Sequence, residues 1–278
     1  MSAPYPPPYL GDVGEGAPTL LLVHGWGCDG DDWAALLPAL APRHRVLVPD
    51  LPGHGRTPPV PAPSGAPNPY APRALARELA ALVERLGAGP VVAVGHSMGG
   101  HVVSALAVEH PRLVRSVVTV ATGWGGTAHG APVPRRPAAE RAEPEERAEP
   151  GNPRRAEDAW ALRVVRAACG PGTPPEVRAR HERLVAAADA GVLARCREGM
   201  YRGGDAFGLR PAARRYLSRR RCPVLAVHTS PEAAAWERRL PRHPLSRVEL
   251  WEGCGHYAHE ERPGELAALL EEWCAVTA

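Results

Sequence analysis

Apolar residues along this chain follow two periods, and the period changes where the type of element should change. Short uninterrupted apolar runs predict buried strands over Thr19–His24, Arg45–Asp50, Val91–Gly95, Val114–Ala121, Pro223–His228 and Arg247–Trp251. Helical spacing dominates between them. From Arg73 to Leu86 the apolar positions are Leu75, Leu79, Leu82, Val83 and Leu86, with Gly87 as the stop. Further helices are predicted near Asp32–Leu40, from Met98 to about His110, around Glu232–Leu240, and over Gly264–Val276. Strands that are apolar throughout and alternate with helices predict an α/β fold with a mostly parallel, doubly wound sheet, because only a sheet covered on both faces buries such strands.

The alternation breaks after Ala121. Residues Pro132–Glu157 repeat Pro, Arg and Glu with almost nothing large and apolar. Such a segment cannot bury a core and is expected to form a mobile loop. Helical patterns resume at Asp158–Cys169, Pro175–Ala188, Val192–Tyr201 and Pro211–Arg219 before the strand pattern returns.

Composition narrows the classes of function. The formal charge of +3 comes from 33 basic residues against 30 acidic ones. Every basic residue is arginine, and the chain has no lysine, isoleucine or glutamine, a skew that reads as coding bias rather than as a basic surface. The charges interleave and no nucleic-acid module is recognisable, so nucleic-acid partners are excluded. Met1–Leu10 is proline-rich and lacks the basic start and apolar segment of a signal peptide. No apolar run approaches the roughly 20 residues needed to span a bilayer. A soluble, cytoplasmic protein without a membrane partner is expected. The six cysteines, Cys28, Cys169, Cys196, Cys222, Cys254 and Cys274, show no CxxC or zinc spacing and are expected as free thiols. Cys28 and Cys254 both fall in loops that should border the functional site, and a pairing between them is the lesser alternative.

The chemistry-bearing stretch is Gly95-His96-Ser97-Met98-Gly99-Gly100, between an apolar strand and an apolar helix. A serine flanked by glycines two residues away on each side suits a strand-to-helix turn too sharp for a Cβ at Gly95 or Gly99. Upstream, a buried strand ends in His24-Gly25-Trp26-Gly27. Asp50-Leu51-Pro52-Gly53-His54-Gly55-Arg56 follows the next strand, and Gly255-His256 with Glu261 and Pro263 precedes the last helix. These four blocks, in this order, resemble the α/β-hydrolase family, in its serine-nucleophile branch with a helical cap, over nearly the whole chain. The resemblance implies a core of residues 1–122 and 222–278 and a cap over 123–221. Because the first strand begins near Thr19, one or both of the family's antiparallel opening strands are expected to be absent or abbreviated.

The same resemblance implies a catalytic triad: Ser97 as nucleophile, His256 as base, and an acid in between. Backbone N–H groups of Trp26 and Met98 would form the oxyanion hole. The acid departs from the family pattern Pro-x-Leu-x-x-x-Gly-x-x-Asp. In Pro223-Val224-Leu225-Ala226-Val227-His228-Thr229-Ser230-Pro231-Glu232, Thr229 replaces the glycine and Glu232 the aspartate. Glu232 is the expected acid, with a helix cap as its bland alternative, since Val120-Ala121-Thr122 at the other family position offers no carboxylate. His24, Gly25, His96, Trp160, Tyr201, Phe207 and Tyr257 are candidate pocket residues. Asp50 is expected to fix its loop, and His259 to pack or bond locally. The implied activity is hydrolysis of an ester, lactone or thioester of a small acyl substrate through an acyl-serine, with no metal or organic cofactor. The alternatives are a C–C bond hydrolase or acyl transferase on the same triad, and a non-hydrolytic cyclase or binding protein. Epoxide hydrolase and dehalogenase activities are disfavoured, because those relatives carry aspartate where Ser97 stands.

Overall fold

The computed structural model describes residues 10–61, 65–125, 153–241 and 243–278. Seven strands, β1 (Leu10–Val13), β2 (Leu20–Val23), β3 (Val46–Pro49), β4 (Val91–His96), β5 (Val114–Val120), β6 (Val224–His228) and β7 (Arg247–Leu250), form one sheet in the order β1-β3-β2-β4-β5-β6-β7. Among the described strands, only β1 is antiparallel to its neighbour. Strands β2 to β6 are buried along their whole length except Arg115 in β5, which is why they read as continuous apolar runs. One antiparallel opening strand, β1, is therefore present. Its four residues are half-buried or exposed, so the apolar pattern gave it no signal.

Alternate side chains of each strand face opposite layers. Leu21, Val23, Ala93 and Val117 pack toward α2 (Pro72–Arg85) and α3 (Met98–Glu109), which follow the short α1 (Leu37–Leu40). Leu20, Leu22, Val94, Val118, Leu225 and Val227 pack on the other face with Trp33, Leu36 and the closing helix. The predicted helix near Asp32–Leu40 is instead a 3-10 turn, Gly30–Leu36, that runs into α1. Asp29 caps it by accepting from the Asp31 N–H, and the Asp50 carboxylate accepts from the Gly30 N–H at 2.7 Å. The tight winding keeps this turn close against the ends of β2 and β3.

Among the described residues, four helices stand between β5 and β6: α4 (Pro153–Ala168), α5 (Pro175–Ala187), α6 (Ala190–Tyr201) and α7 (Arg210–Leu217). The expected loop over 132–157 lies outside the described residues as far as 152. From 153 to 157 the chain is already α4, a correction with a local reason. Proline suits a first helical turn, and the Arg-Arg-Ala-Glu that follows favours helix. After β6 come α8 (Pro231–Glu237), α9 (Ala258–Glu261) and α10 (Pro263–Val276). No described helix is long and apolar enough to cross a membrane.

The topology itself selects a place for a site. From β2 the chain moves one way to β3 and then crosses back to β4, so the carboxyl ends of β2 and β4 open a crevice at the switch point. The His24–Gly27 loop leaves β2 there, and Ser97 leaves β4.

Candidate active site

Ser97 is the residue between β4 and α3, at φ 51° and ψ −114°, a conformation that side-chain-bearing residues rarely adopt. Its backbone is held at both ends: the Ser97 N–H donates to Val120 at 2.9 Å, and the Gly100 N–H donates to the Ser97 carbonyl at 3.0 Å. The flanking glycines have no room. A Cβ on Gly95 would lie 2.3 Å from the Gly99 carbonyl oxygen, and one on Gly99 would lie 2.2 Å from that of Val23. Gly99→Ala is accordingly expected to lower stability by about 3 kcal/mol, read as a shifted urea midpoint at unchanged slope.

The His24–Gly27 loop passes as closely over the elbow. A Cβ on Gly25 would meet His96 Nδ1 at 2.8 Å. Trp26 is anchored by its indole N–H, which donates to the Leu193 carbonyl on α6 at 2.9 Å. Among the described residues, neither the Trp26 nor the Met98 backbone N–H donates to another protein group.

His256 arrives on the loop between β7 and α9. Its N–H donates to Ala168 at the end of α4 (2.8 Å), and its carbonyl accepts from His96 Nε2 at 3.0 Å. Glu261 holds the same loop from below, accepting from the Gly255 N–H (2.9 Å) and from Thr173 Oγ1 (2.6 Å). Gly255 has to be glycine, since a Cβ there would sit 2.4 Å from the Gly170 nitrogen. Ser97 and His256 line one cavity of about 640 Å³ with Trp26, His96, Thr229 and Tyr257. Val164, Val165, Ala167 and Ala168 of α4 also line it, as do Cys28, Cys169 and Cys254. All six cysteines are free thiols. Among the described residues, no charged side chain lines this cavity. Burial, with His181 nearby, pushes the His256 imidazole down to about 4, so the ring is neutral and able to accept a proton.

The structure does not bring Glu232 to His256. Ser230 caps α8, Pro231 fills its first turn, and Glu232 projects to solvent with its carboxylate 2.7 Å from Arg210 on α7. Among the described residues the His256 ring makes no hydrogen bond, to Glu232, to Ser97 or to any other group. Of the pocket candidates, His96 and Tyr257 line the cavity and the others do not. His24 is locked below the loop, accepting the Leu51 N–H at 2.9 Å, and Gly25 is its neighbour. Trp160 packs edge-on against Trp26 under the Arg197 guanidinium. Tyr201 and Phe207 surround His101 beneath α3, with Phe207 stacked on Tyr216. Those aromatic side chains satisfy helix packing, which residue type alone does not separate from pocket lining.

Asp50 organises the loop after β3. Burial raises its carboxyl, but bonds from the Arg56 side chain and from the Arg56 and Gly30 N–H groups outweigh that and hold it below the usual range.

Sequence reasoning missed a buried polar network behind the cavity. Arg180 on α5 bridges Asp29, which caps the 3-10 turn, and Asp32 within it, and the adjacent His181 reaches Glu260 on α9 at 2.5 Å. His181 also stands 3.7 Å from Cys28 Sγ and stacks on Tyr257. The only local signal was the dense Asp29–Asp32 and His259–Glu261 clusters, whose partner lies about 150 residues away for the first of them.

The model of the alpha/beta hydrolase family matches residues 20–269. A pimeloyl-[acyl-carrier protein] methyl ester esterase of Aeromonas hydrophila is 40% identical over 109 residues, 39% of each chain. The magnesium-chelatase 30 kDa subunit of Rhodobacter capsulatus is 39% identical over 94 residues, 34% of this chain and 31% of that one. The matches thus span less than half the length of these curated relatives. A thermophilic esterase from Thermogutta terrifontis superposes over 97% of this chain and 93% of its own, with a TM-score of 0.71 at 24% identity, a likeness of fold. Four-fifths or more of the chain follows one family's pattern, from the strand before the oxyanion loop into the closing helix, and the chain belongs to the alpha/beta hydrolase family.

Proposed function

We propose that this protein hydrolyses uncharged carboxylic esters, lactones or thioesters through an acyl-serine on Ser97. The observation that carries the reading is Ser97 itself. It is strained at φ 51°, it opens α3, and it shares a cavity with His256 and the Trp26 loop. The helix N-terminus and two unengaged N–H groups meet where negative charge would develop. Ser97 Oγ attacks the acyl carbonyl while its proton passes to His256. The Trp26 and Met98 N–H groups hold the resulting oxyanion. As the tetrahedral adduct collapses, imidazolium returns the proton to the leaving alcohol or thiol. Water, deprotonated by His256, then attacks the acyl-serine and releases the acid. The uncharged lining supports a neutral acyl group, and the methyl ester named for one relative supports ester over C–C cleavage. The helices between β5 and β6 act as the cap, with α4 lining the cavity.

The test is to incubate the protein with neutral p-nitrophenyl esters and trap the adduct by mass spectrometry. An acyl group is expected on the Ser97 peptide, and turnover without such an adduct would refute the route. The same assay addresses the acid. Because Glu232 is paired with Arg210, Glu232→Gln is expected to change kcat less than about 3-fold, the range of an exposed ion pair. His256→Ala should lose about 10³-fold or more. A loss of that size in Glu232→Gln would instead make Glu232 the partner of His256 during turnover.

A further inference from the structure

Beneath the elbow, three buried side chains from distant segments bring ligand atoms close together. Asp32 comes from the 3-10 turn, His96 from the end of β4, and His259 from α9. Each is no more than 2% exposed. One ligand atom of each lies within 4.8 Å of the other two. Asp32 Oδ2, His96 Nδ1 and both ring nitrogens of His259 have no hydrogen-bond partner among the described residues. Leaving such atoms buried and unpaired is costly, so a group that binds them all is favoured.

The surroundings suit a cation. His96 Nε2 must donate its proton to the His256 carbonyl, which fixes the tautomer and leaves Nδ1 as a lone pair. A ring whose second nitrogen is tied to a carbonyl is the usual state of a metal-ligating histidine. Asp32 gives its other oxygen to Arg180 and keeps Oδ2 free. Three carboxylates, Asp29, Asp32 and Glu260, surround one guanidinium, Arg180, so the cluster carries surplus negative charge. Ligand atoms around a tetrahedral ion lie about 3.4 Å apart, so the three groups, now within 4.8 Å of one another and with the His96 and His259 ring centroids 4.2 Å apart, would draw in and turn their rings on binding.

We propose that Asp32, His96 and His259 form a binding site for one divalent transition ion of the zinc type. Two imidazoles and a carboxylate select such an ion over magnesium or calcium, which prefer oxygen alone. The ion would clip together the turn after the oxyanion loop, the residue before Ser97, and the helix after the His256 loop. It lies behind the catalytic cavity, and its existence does not depend on the esterase reading.

The site is tested on the full chain without a histidine tag, freed of metal by chelator dialysis and titrated with Co²⁺. One Co²⁺ per chain should bind, with visible d–d bands, no sulfur-to-cobalt charge-transfer band, and displacement by equimolar Zn²⁺. Proton NMR of the cobalt form should show shifted imidazole N–H signals from two histidines, a readout that needs no variant. His259→Gln should weaken binding at least about 100-fold, and His110→Gln, remote from the cluster, should leave it unchanged. Failure of the parent protein to bind near-stoichiometrically overturns the proposal, since the orphaned atoms would then be served by buried water. So does a folded His259→Gln variant with undiminished affinity. A sulfur charge-transfer band also overturns the assignment, because it places the ion at Cys28, Asp32 and His181 instead.

Discussion

Replacing Ser97 by alanine is expected to lower kcat/KM on a neutral ester by at least about 10⁴-fold while leaving thermal unfolding nearly unchanged. The stability should hold because the residue is strained through its backbone, which alanine shares, and its side chain makes no hydrogen bond that the fold depends on. The rate should collapse because the nucleophile and its base act as one unit. Once Oγ is gone, His256 can only help water attack, and the oxyanion donors supply what remains. A fluorophosphonate should label the parent protein at Ser97 and leave the alanine variant unlabelled. Labelling at another serine, or a rate within tenfold of the parent, would remove Ser97 from the mechanism. Absence of both label and turnover in the parent would favour the binding-protein alternative.

The second large effect is expected on acidification of the metal-free protein. Burial holds His24, His101 and His256 neutral down to about 4 and His54 down to about 3, against an ordinary value of 6.5. His96 and His259 are also pushed well below 6.5, again by burial first. Below pH 6.5 the unfolded chain protonates these rings and the folded protein does not. Stability must therefore fall as pH drops from 6.5 toward 4. Two carboxyls oppose this. Burial, with Glu260 nearby, raises Asp32 to about 6, and burial raises Glu260 to about 7 despite Arg180. These groups take up protons in the folded state and favour it on acidification. About four net protons remain, which gives a slope of roughly 5 kcal/mol per pH unit near pH 5. That is steep against a typical total of about 5–15 kcal/mol. Cooperative unfolding between pH 6 and 4 is expected, followed by near-ultraviolet circular dichroism. Because His256 does not titrate in the folded protein before that point, activity should be lost together with tertiary structure. An activity midpoint near pH 6.5 with intact dichroism would mean that His256 has a carboxylate partner the present geometry does not give it.

That difference marks where local reading stops. Ser97 at a strand-to-helix turn was legible because the steric demand of the elbow acts over five residues, and Gly95 and Gly99 answer it within the same motif. The strands from β2 to β6 were legible because burial on both faces removes polar positions altogether. β1 was not, since an edge strand with half-exposed side chains carries no such run. The partner of Glu232 was not legible either. Register placed it where the family keeps its acid, but Arg210 on another helix claims the carboxylate.

The amino-acid sequence by itself determined the fold class, the order of the buried strands and the helices between them, and the loops that would meet at the sheet's carboxyl edge. Periodicity and turn sterics are properties of neighbouring residues, so they survive without knowledge of the rest of the chain. The tertiary structure alone decided which charges pair, which aromatics pack away from the cavity, and that Asp32, His96 and His259 converge. Those outcomes depend on contacts between segments far apart in sequence, as between Asp29 and Arg180, where direction and distance are set only once the layers have packed.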